Sequence, residues 1–426
     1  MKRVIIYLIL YVFLIAIGSC RKDYDTQDPE IVFIKPITGY LVNLPDTIDV
    51  KVGISDDRII RFVTLTLVNE DKIPVQLSEQ YYPDSPEFQI ETSIILEDKN
   101  LTSGTYFLQV IATDGTNSKH KYHEIILNEI PPEHRAYIAV TGQFSLESTI
   151  HKLNPAFETE TQFIITEGHW ITGVNSRWEK FLFISDEPSI LTAYHVETFE
   201  TEWEKVAEPP RPLITALFQD RDIILSTDNG DALVLSGNGN ITLRTVSLEN
   251  KTIRCLAADE KYIYAAHVSL SGNIHQLTIY YRVSGSIMEQ KLLAHEIRGL
   301  VPVEGGVLVF GDSLNCTTIQ KYDPENLTIA GLDFLQDVNL ISTVKISENQ
   351  IILLSETRVI SYEPSMNHFN DFKDQSYTFC RYDKLSDVIF LGRDNMVYRF
   401  NRLTGALLGE ISFAEEVFDF QILYNK

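Results

Sequence analysis

Short runs of alternating apolar and polar residues dominate the chain from residue 30 onward. Asp46–Val52 and Arg61–Val68 place an apolar side chain at every second position, which is the period of a half-buried strand. Residues 30–128 show no 3.6-residue helical period, and turn-forming pairs such as Asp114-Gly115 separate the runs. The pattern therefore predicts an all-β protein built from many short strands.

The first twenty residues follow a different pattern. Lys2 and Arg3 precede an apolar run, Val4–Ile17, which is too short for a comfortable membrane span and suits a signal peptide. The run ends in Ile17-Gly18-Ser19-Cys20, which resembles the lipobox of bacterial lipoproteins. The resemblance implies cleavage before Cys20 and attachment of a lipid such as palmitate to its thiol. An ordinary signal peptide followed by a chance cysteine is the alternative.

The segment after the lipobox gives an expectation about location. We expect residues 1–19 to be the signal peptide and residues 20–29 to be a lipidated, flexible tether. Lys22-Asp23-Tyr24-Asp25 resembles the short signals that send lipoproteins of Bacteroidota to the outside of the outer membrane. The resemblance implies a lipid-anchored protein of the cell outer membrane that is exposed at the surface. The periplasmic face of that membrane remains the alternative.

Residues 30–130 have the length and strand number of a small β-sandwich. About 100 residues with some seven short strands fit an immunoglobulin-like (Ig-like) fold. Val110–Asn117 resembles the penultimate strand of bacterial Ig-like and cadherin-like modules, which can bind Ca²⁺ through aspartates at domain ends. The resemblance makes Asp56, Asp57 and Asp114 calcium candidates. Asx turns that solvate the loops are the alternative.

Residues 133–426 contain a repeat with an average spacing of about 41 residues. Most copies begin with an aromatic residue or a histidine at a strand end, continue with a short polar turn and lead into another strand. This period fits one four-stranded blade of a β-propeller. The seven copies start at His151, Tyr194, Leu235, Tyr281, Tyr322, Tyr362 and Phe400.

Strand counting predicts how the ring of blades closes. The first repeat, residues 136–168, supplies three strands, and the chain ends in a lone strand, Val417–Leu423. One strand and three make a full blade, so the C-terminal strand becomes the innermost strand of the first blade and removes open sheet edges. We therefore predict an Ig-like β-sandwich followed by a seven-bladed β-propeller, at residues 133–426, that the C-terminal strand closes.

The turn-flanked repeat resembles the PQQ-like (quinoprotein-type) and YVTN-type propellers. Their blades carry an aromatic residue, an acidic residue and a Thr-Gly pair, as in Tyr322-Asp323 and Thr404-Gly405. The resemblance implies the fold and not an activity. The Trp docking motifs of true quinoprotein dehydrogenases are absent from the sequence, so we expect no bound quinone and no other cofactor.

A second motif, in phase with the first, reads apolar, any residue, small, apolar. Its small residues, including Gly173 and Gly299, suit the crowding of blades near the axis. Five copies are clear and a sixth is degraded, with Cys380 at its small position; the clear copies are Ile171–Val174, Ile214–Leu217, Ile253–Leu256, Ile297–Leu300 and Ile341–Val344.

Two copies of this motif carry an arginine, Arg254 and Arg298, on neighbouring blades. Side by side near the axis, these residues are candidates for holding a carboxylate or an anionic sugar through bidentate hydrogen bonds. Pairing of each arginine with an acidic neighbour, such as Glu296 or Asp419, is the alternative.

The three tryptophans fall within one repeat. Trp170, Trp178 and Trp203 are candidates for an aromatic shelf that stacks on sugar rings, and burial between blades is the alternative.

Charge and cysteine usage narrow the function classes. The formal net charge is −23, from 59 acidic and 36 basic residues, which argues against nucleic-acid binding because phosphates need a basic surface. Beyond Cys20 only three cysteines occur, so all three cannot pair within the chain. We expect Cys255 and Cys380, which lie in apolar strand patterns, to be buried free thiols.

No motif in the sequence identifies a catalytic site. Nucleotide-binding loops, serine-nucleophile elbows and His-Glu-x-x-His are absent from it. The lipobox, the spacer and the propeller together favour a non-enzymatic scaffold or accessory subunit of an outer-membrane protein complex. This plan resembles the propeller lipoproteins of outer-membrane assembly machinery. A glycan-binding protein or carbohydrate-active enzyme of a polysaccharide-utilisation system is the alternative.

Overall fold

The computed structural model describes residues 27–143, 147–165, 169–185, 189–206, 212–219, 221–313 and 316–426, except for the side chains at positions 143, 169 and 170. Every regular element within these ranges is a β-strand, which confirms the all-β prediction. The chain divides between residues 131 and 132 into two compact units. The described segments contain no helix that is long and apolar enough to cross a membrane.

The first unit consists of eight strands in two sheets. A three-stranded sheet has the order β1-β3-β6, and a five-stranded sheet has the order β2-β8-β7-β4-β5. All pairs are antiparallel except β2 with β8. The strands are β1 (Glu30–Lys35), β2 (Tyr40–Asn43), β3 (Asp46–Ile60), β4 (Phe62–Val68), β5 (Glu79–Tyr81), β6 (Ser85–Leu96), β7 (Gly104–Thr113) and β8 (Ser118–Asn128).

Alternating apolar residues from both sheets meet in one core. Val50 and Val52 of β3 are almost completely buried, as are Leu108 and Val110 of β7. Because successive side chains on a strand point to opposite faces, every second residue supplies the core. The alternation in the sequence therefore predicts which face of each strand is buried.

The second unit consists, within the described residues, of seven four-stranded antiparallel sheets, here numbered 1 to 7. Sheet 1 is β36 (Val417–Tyr424), β9 (His134–Gln143), β10 (Glu147–Leu153) and β11 (Thr159–Ile165); sheet 2 is β12 (His169–Asn175), β13 (Lys180–Ser185), β14 (Ile190–His195) and β15 (Thr201–Val206); sheet 3 is β16 (Leu213–Phe218), β17 (Ile223–Thr227), β18 (Ala232–Leu235) and β19 (Ile241–Arg244); sheet 4 is β20 (Lys251–Ala258), β21 (Tyr262–Ser269), β22 (His275–Tyr281) and β23 (Ile287–Leu293). Sheet 5 is β24 (Glu296–Val303), β25 (Gly306–Ser313), β26 (Cys316–Asp323) and β27 (Thr328–Gln336); sheet 6 is β28 (Leu340–Ser347), β29 (Gln350–Ser355), β30 (Val359–Glu363) and β31 (His368–Lys373); sheet 7 is β32 (Phe379–Asp383), β33 (Val388–Arg393), β34 (Met396–Asn401) and β35 (Leu407–Ser412).

The first strand of each sheet contacts the first strand of the next sheet. The contacts run in the order β12, β16, β20, β24, β28, β32 and β36, and β36 returns to β12. Between neighbouring sheets lie apolar clusters, such as the one in which Leu182 and Ala193 of sheet 2 meet Leu225 and Leu233 of sheet 3. Sheets arranged in this way around a closed ring of first strands form a β-propeller.

The aromatic repeat marks the end of the third strand of a sheet. Tyr322 and Tyr362 are completely buried there, between neighbouring sheets. In sheet 4 the buried residue is Tyr280, whereas Tyr281, the predicted start of that copy, is 44% exposed. The one-residue difference matters because adjacent residues on a strand point to opposite faces.

The C-terminal strand β36 pairs with β9 and completes sheet 1, in the position expected from strand counting. A buried carboxylate, Asp383, reinforces this seam. It accepts hydrogen bonds from the hydroxyls of Tyr137 (3.2 Å), Tyr424 (3.1 Å) and Ser386 (2.5 Å), and its Oδ2 lies 2.6 Å from Nε2 of His134. Burial and the Asp383 charge raise the pKa of both tyrosines, so both remain hydrogen-bond donors.

Candidate functional site

Six of the seven first strands carry a register shift near their beginning. In each strand one residue is left unpaired as a β-bulge, which re-aims its side chain. The unpaired residues are Trp170, Ile214, Arg254, Arg298, Ile341 and Phe418. Because neighbouring first strands are in contact, these positions recur around one end of the ring. We call the five with described side chains, Ile214, Arg254, Arg298, Ile341 and Phe418, the entrance ring.

The bulges correct the alignment of the sequence motif. The motif places Ile214 and Ile341 in its first position and the two arginines in its second. The structure places all four residues at the same bulge position. A β-bulge adds one residue to one strand of a pair, so a pattern of residue types alone does not fix this position.

The two arginines have different environments. The Arg298 guanidinium lies 3.1 Å from a carboxylate oxygen of Glu296 and 3.3 Å from one of Asp312. Arg298 is therefore paired with acidic neighbours, which was the alternative to anion binding. Arg254 is exposed, and among the described residues it has no carboxylate within 4.0 Å. Arg254 is therefore the cation of the entrance ring that can accept an external anion.

Cys255 links the two arginine-bearing strands. Its thiol donates a hydrogen bond to the carbonyl of Arg298, over 3.2 Å, and burial raises the pKa of the thiol to about 11. Burial also raises the pKa of Cys380 to about 12. Neither side chain forms a thiolate at neutral pH, and both are free cysteines, although Cys255 is only partly buried in the unit.

Asp419, one candidate partner for the arginines, pairs elsewhere. One of its carboxylate oxygens lies 2.5 Å from the Arg381 guanidinium, and the other accepts hydrogen bonds from Thr172 (2.5 Å) and Gln421 (2.6 Å). The network joins β32, β36 and β12. The sequence motif did not point to Arg381, because its strand carries only a degraded copy in which Cys380 holds the small position.

The glycines of the motif have the steric role that the sequence predicted. A Cβ at Gly173 would lie 2.1 Å from the Phe218 ring of the next first strand, and one at Gly299 would lie 2.7 Å from Cγ2 of Thr343. Both distances are far below a van der Waals contact. Close packing of neighbouring first strands therefore requires these glycines.

The tryptophans are divided between the two ends of strand β12. Trp170 lies at its beginning, and its side chain is outside the described residues. Trp178 follows the end of the strand, about 20 Å farther along at the usual rise of a strand. Trp178 and Trp203 line one open groove of about 820 Å³ between sheets 2 and 3, here called the tryptophan groove. Both indoles are partly buried, and Trp203 also packs on the apolar cluster between sheets 2 and 3. The aromatic shelf therefore stays a prediction, and it concerns these two indoles.

The calcium candidates lie at one end of the first unit. Asp114 is buried and accepts hydrogen bonds from the backbone amides of Thr116 and Asn117 at 2.5 and 2.7 Å, which is the geometry of an Asx turn. Burial and the nearby charges of Asp114 and Asp57 raise the pKa of Asp56. Within the described part of the chain, no group of three or more His, Cys, Asp or Glu side chains is arranged to hold a metal ion. Cys20, the lipidation candidate, lies outside the described residues.

Neither a family model nor a curated protein matches this chain. Solved structures with distant similarity to it include the following three. The quinonprotein alcohol dehydrogenase-like protein from Bacteroides thetaiotaomicron is 12% identical over 93% of this chain and 99% of its own, with a TM-score of 0.47. BamB from Moraxella catarrhalis is 12% identical over 66% of this chain and 92% of its own, with a TM-score of 0.43.

The β-propeller domain of Cps50 (Swd1) from Myceliophteria thermophila is 8% identical over 58% of this chain and 88% of its own, with a TM-score of 0.46. Similarities this distant carry no functional argument. The β-propeller follows from the closed ring of sheets in the chain itself.

Proposed function

We propose that this chain is a non-enzymatic, lipid-anchored scaffold that binds a protein partner through its β-propeller. Its seven sheets then act as seven blades, residues 30–130 as an Ig-like spacer and Cys20 as the anchor in the outer membrane, at the cell surface. In this role it is an accessory subunit of an envelope complex for transport, secretion or assembly.

Arg254 is the observation that supports binding at the entrance ring. It is an exposed guanidinium without a carboxylate partner among the described residues, in a chain whose formal net charge is −23. A carboxylate on a partner complements this group, and a charge-assisted bidentate hydrogen bond gives such a contact both strength and orientation.

The composition of the entrance ring favours a protein segment over a free anion. The bulges place Ile214, Ile341 and Phe418 at equivalent positions of other first strands, and Ile341 is 44% exposed. Ile214 lies on the first strand next to that of Arg254, whereas Ile341 and Phe418 lie farther round the ring. An arginine on a surface that also carries apolar side chains suits a protein partner, because arginine is enriched in binding hot spots. A partner segment with a carboxylate next to an apolar side chain could pair with the Arg254 guanidinium and also contact the apolar side chains of the ring.

The proposal can be tested with charge reversal at Arg254. Full-length wild-type protein, R254E and the matched control R221E are purified from detergent-solubilised membranes. Arg221 is also exposed but lies in the turn after β16, at the other end of a first strand. We expect a stoichiometric membrane protein with wild type and R221E, and about tenfold less of it with R254E, because a buried charge contact costs 1.4 kcal/mol or more to reverse.

Two further results complete this test. C20S should move the protein from the membrane fraction to the soluble fraction, because the lipid anchor is lost. Equal recovery of the partner with R254E, or a wild-type protein that is repeatedly isolated alone, would contradict docking at the entrance ring. Thermal unfolding of each variant shows whether the propeller is intact.

A further inference from the structure

The tryptophan groove lies at the opposite end of the first strands from the entrance ring. Trp178 belongs to the turn that follows β12, whereas the bulges lie at the beginnings of the first strands. The groove is formed by sheet 2 and by the turn between β18 and β19 of sheet 3. It is thus a separate surface, and it requires no partner protein at the entrance ring.

An equivalent groove between sheets 6 and 7 shows what is particular to this one. That groove has a volume of about 470 Å³. Asn349, in the turn after the first strand of sheet 6, takes the place of Trp178 in sheet 2. Asn370, on the fourth strand of sheet 6, takes the place of Trp203. That groove is lined mainly by polar side chains and contains no tryptophan. The two indoles and the larger volume of about 820 Å³ are additions of sheets 2 and 3.

The indoles are held in place by the turn at residues 236–240. A Cβ at Gly237 would lie 1.9 Å from the Trp178 ring, and one at Gly239 would lie 2.7 Å from the Trp203 ring, so both glycines pack directly on the indoles. The indole N–H of Trp203 donates to the carbonyl of Gly237 over 2.9 Å. Two aromatic surfaces fixed in this way lose little freedom when a ligand binds.

The remaining lining is polar but carries no unpaired charge among the described residues. Lys180 and Glu202 form an ion pair with each other. Asn238 and Asn240 are exposed, and amide side chains both donate and accept hydrogen bonds. The groove therefore offers apolar ring surface and uncharged hydrogen-bonding groups side by side.

We infer that the tryptophan groove binds an uncharged saccharide. The C–H face of a pyranose packs on an indole, and its hydroxyls match the amides of Asn238 and Asn240. An acidic saccharide would gain no free cation in the groove, because Lys180 is paired with Glu202. The observations at this site point to sugar binding.

Tryptophan fluorescence tests the inference, because two of the three tryptophans of the chain line the groove. Purified full-length protein is titrated with neutral hexasaccharides, namely cellohexaose, maltohexaose, xylohexaose and mannohexaose, and with hexagalacturonate as the acidic comparison. We expect a saturable change with at least one neutral sugar and none with hexagalacturonate. W178A should weaken this binding by about tenfold or more, the effect of losing one stacked ring.

Two variants separate binding from folding. N349A changes the equivalent turn of sheet 6, which lines the groove between sheets 6 and 7, and should bind as wild type does. N238A leaves both indoles in place and should weaken binding severalfold with an unchanged thermal transition. The inference is overturned if no neutral hexasaccharide binds, if hexagalacturonate binds better, or if W178A and N238A both bind as wild type does. R254E should bind the sugar normally, so loss of the partner protein and loss of the sugar are distinguishable.

Discussion

Gly173 shows how one residue type decides the packing of neighbouring first strands. Its missing side chain leaves room for the Phe218 ring, which would lie 2.1 Å from an added Cβ. We expect G173A to lower the free energy of unfolding by about 1–3 kcal/mol, because overpacking forces side chains or backbone to move. Urea denaturation of the two proteins measures the difference.

Gly331 provides a matched control for this substitution. It also lies in a strand of the propeller, β27, but an added Cβ would have no neighbour within 4 Å. G331A should therefore change stability by well under half of the G173A effect, while F218L combined with G173A should recover part of the loss. Equal effects of G173A and G331A would contradict the steric role of Gly173.

The seam between β36, β9 and β32 depends on a buried carboxylate. Burial opposes ionisation of Asp383, but hydrogen bonds from Ser386 and the Leu385 amide, together with His134, outweigh it and hold the pKa of Asp383 below its usual value near 3.8. A depressed pKa in the folded state stabilises the protein above the unfolded-state pKa. This contribution is lost as the pH falls through the lower folded-state value.

We therefore expect D383N to lower the Tm near pH 7, with a loss of about 1–3 kcal/mol from the weakened buried network. The difference in Tm between D383N and wild type should begin to shrink as the pH falls below about 4, and it should disappear once the pH lies below the folded-state pKa of Asp383, where wild type loses the same charge. D374N makes the same chemical change at an exposed position and serves as the control. A Tm difference that is constant with pH would show that the Asp383 charge does not stabilise the seam.

At the scale of the whole molecule, the C-terminal strand closes the ring. Without residues 414–426, β9 has an unpaired edge, and β12 and β32 each lose their neighbour β36. We expect the truncated chain to lose the cooperative unfolding transition of the propeller and to aggregate through the open edge. Differential scanning calorimetry measures this loss.

A synthetic peptide of residues 414–426 is the control for truncation. Added to the truncated chain, it should restore part of the transition, because it supplies the hydrogen bonds that β9 lacks. An unchanged transition in the truncated chain without peptide would contradict closure by β36.

Much of the architecture follows from the sequence, because strand alternation and a repeat of about 41 residues are local patterns. The repeat marks the third strands, and strand counting assigns Val417–Leu423 to the first sheet. The small residues Gly173 and Gly299 follow as well, since crowding between repeats allows no side chain. The lipobox at Cys20 is also a property of sequence alone, and the lipid anchor remains a prediction.

Only the tertiary structure shows which of the alternatives left open by the sequence holds at each candidate site. Glu296 and Asp312 neutralise Arg298, whereas Arg254 has no such neighbour among the described residues. Each β-bulge of the entrance ring adds one residue to its first strand, and a pattern of residue types does not show which residue that is. Trp178 and Trp203 are 25 positions apart in the chain, yet they line the same groove together with a turn of the next sheet. The sequence determined the strands and their order because those are local; ring closure and packing between sheets decided which side chains share a surface.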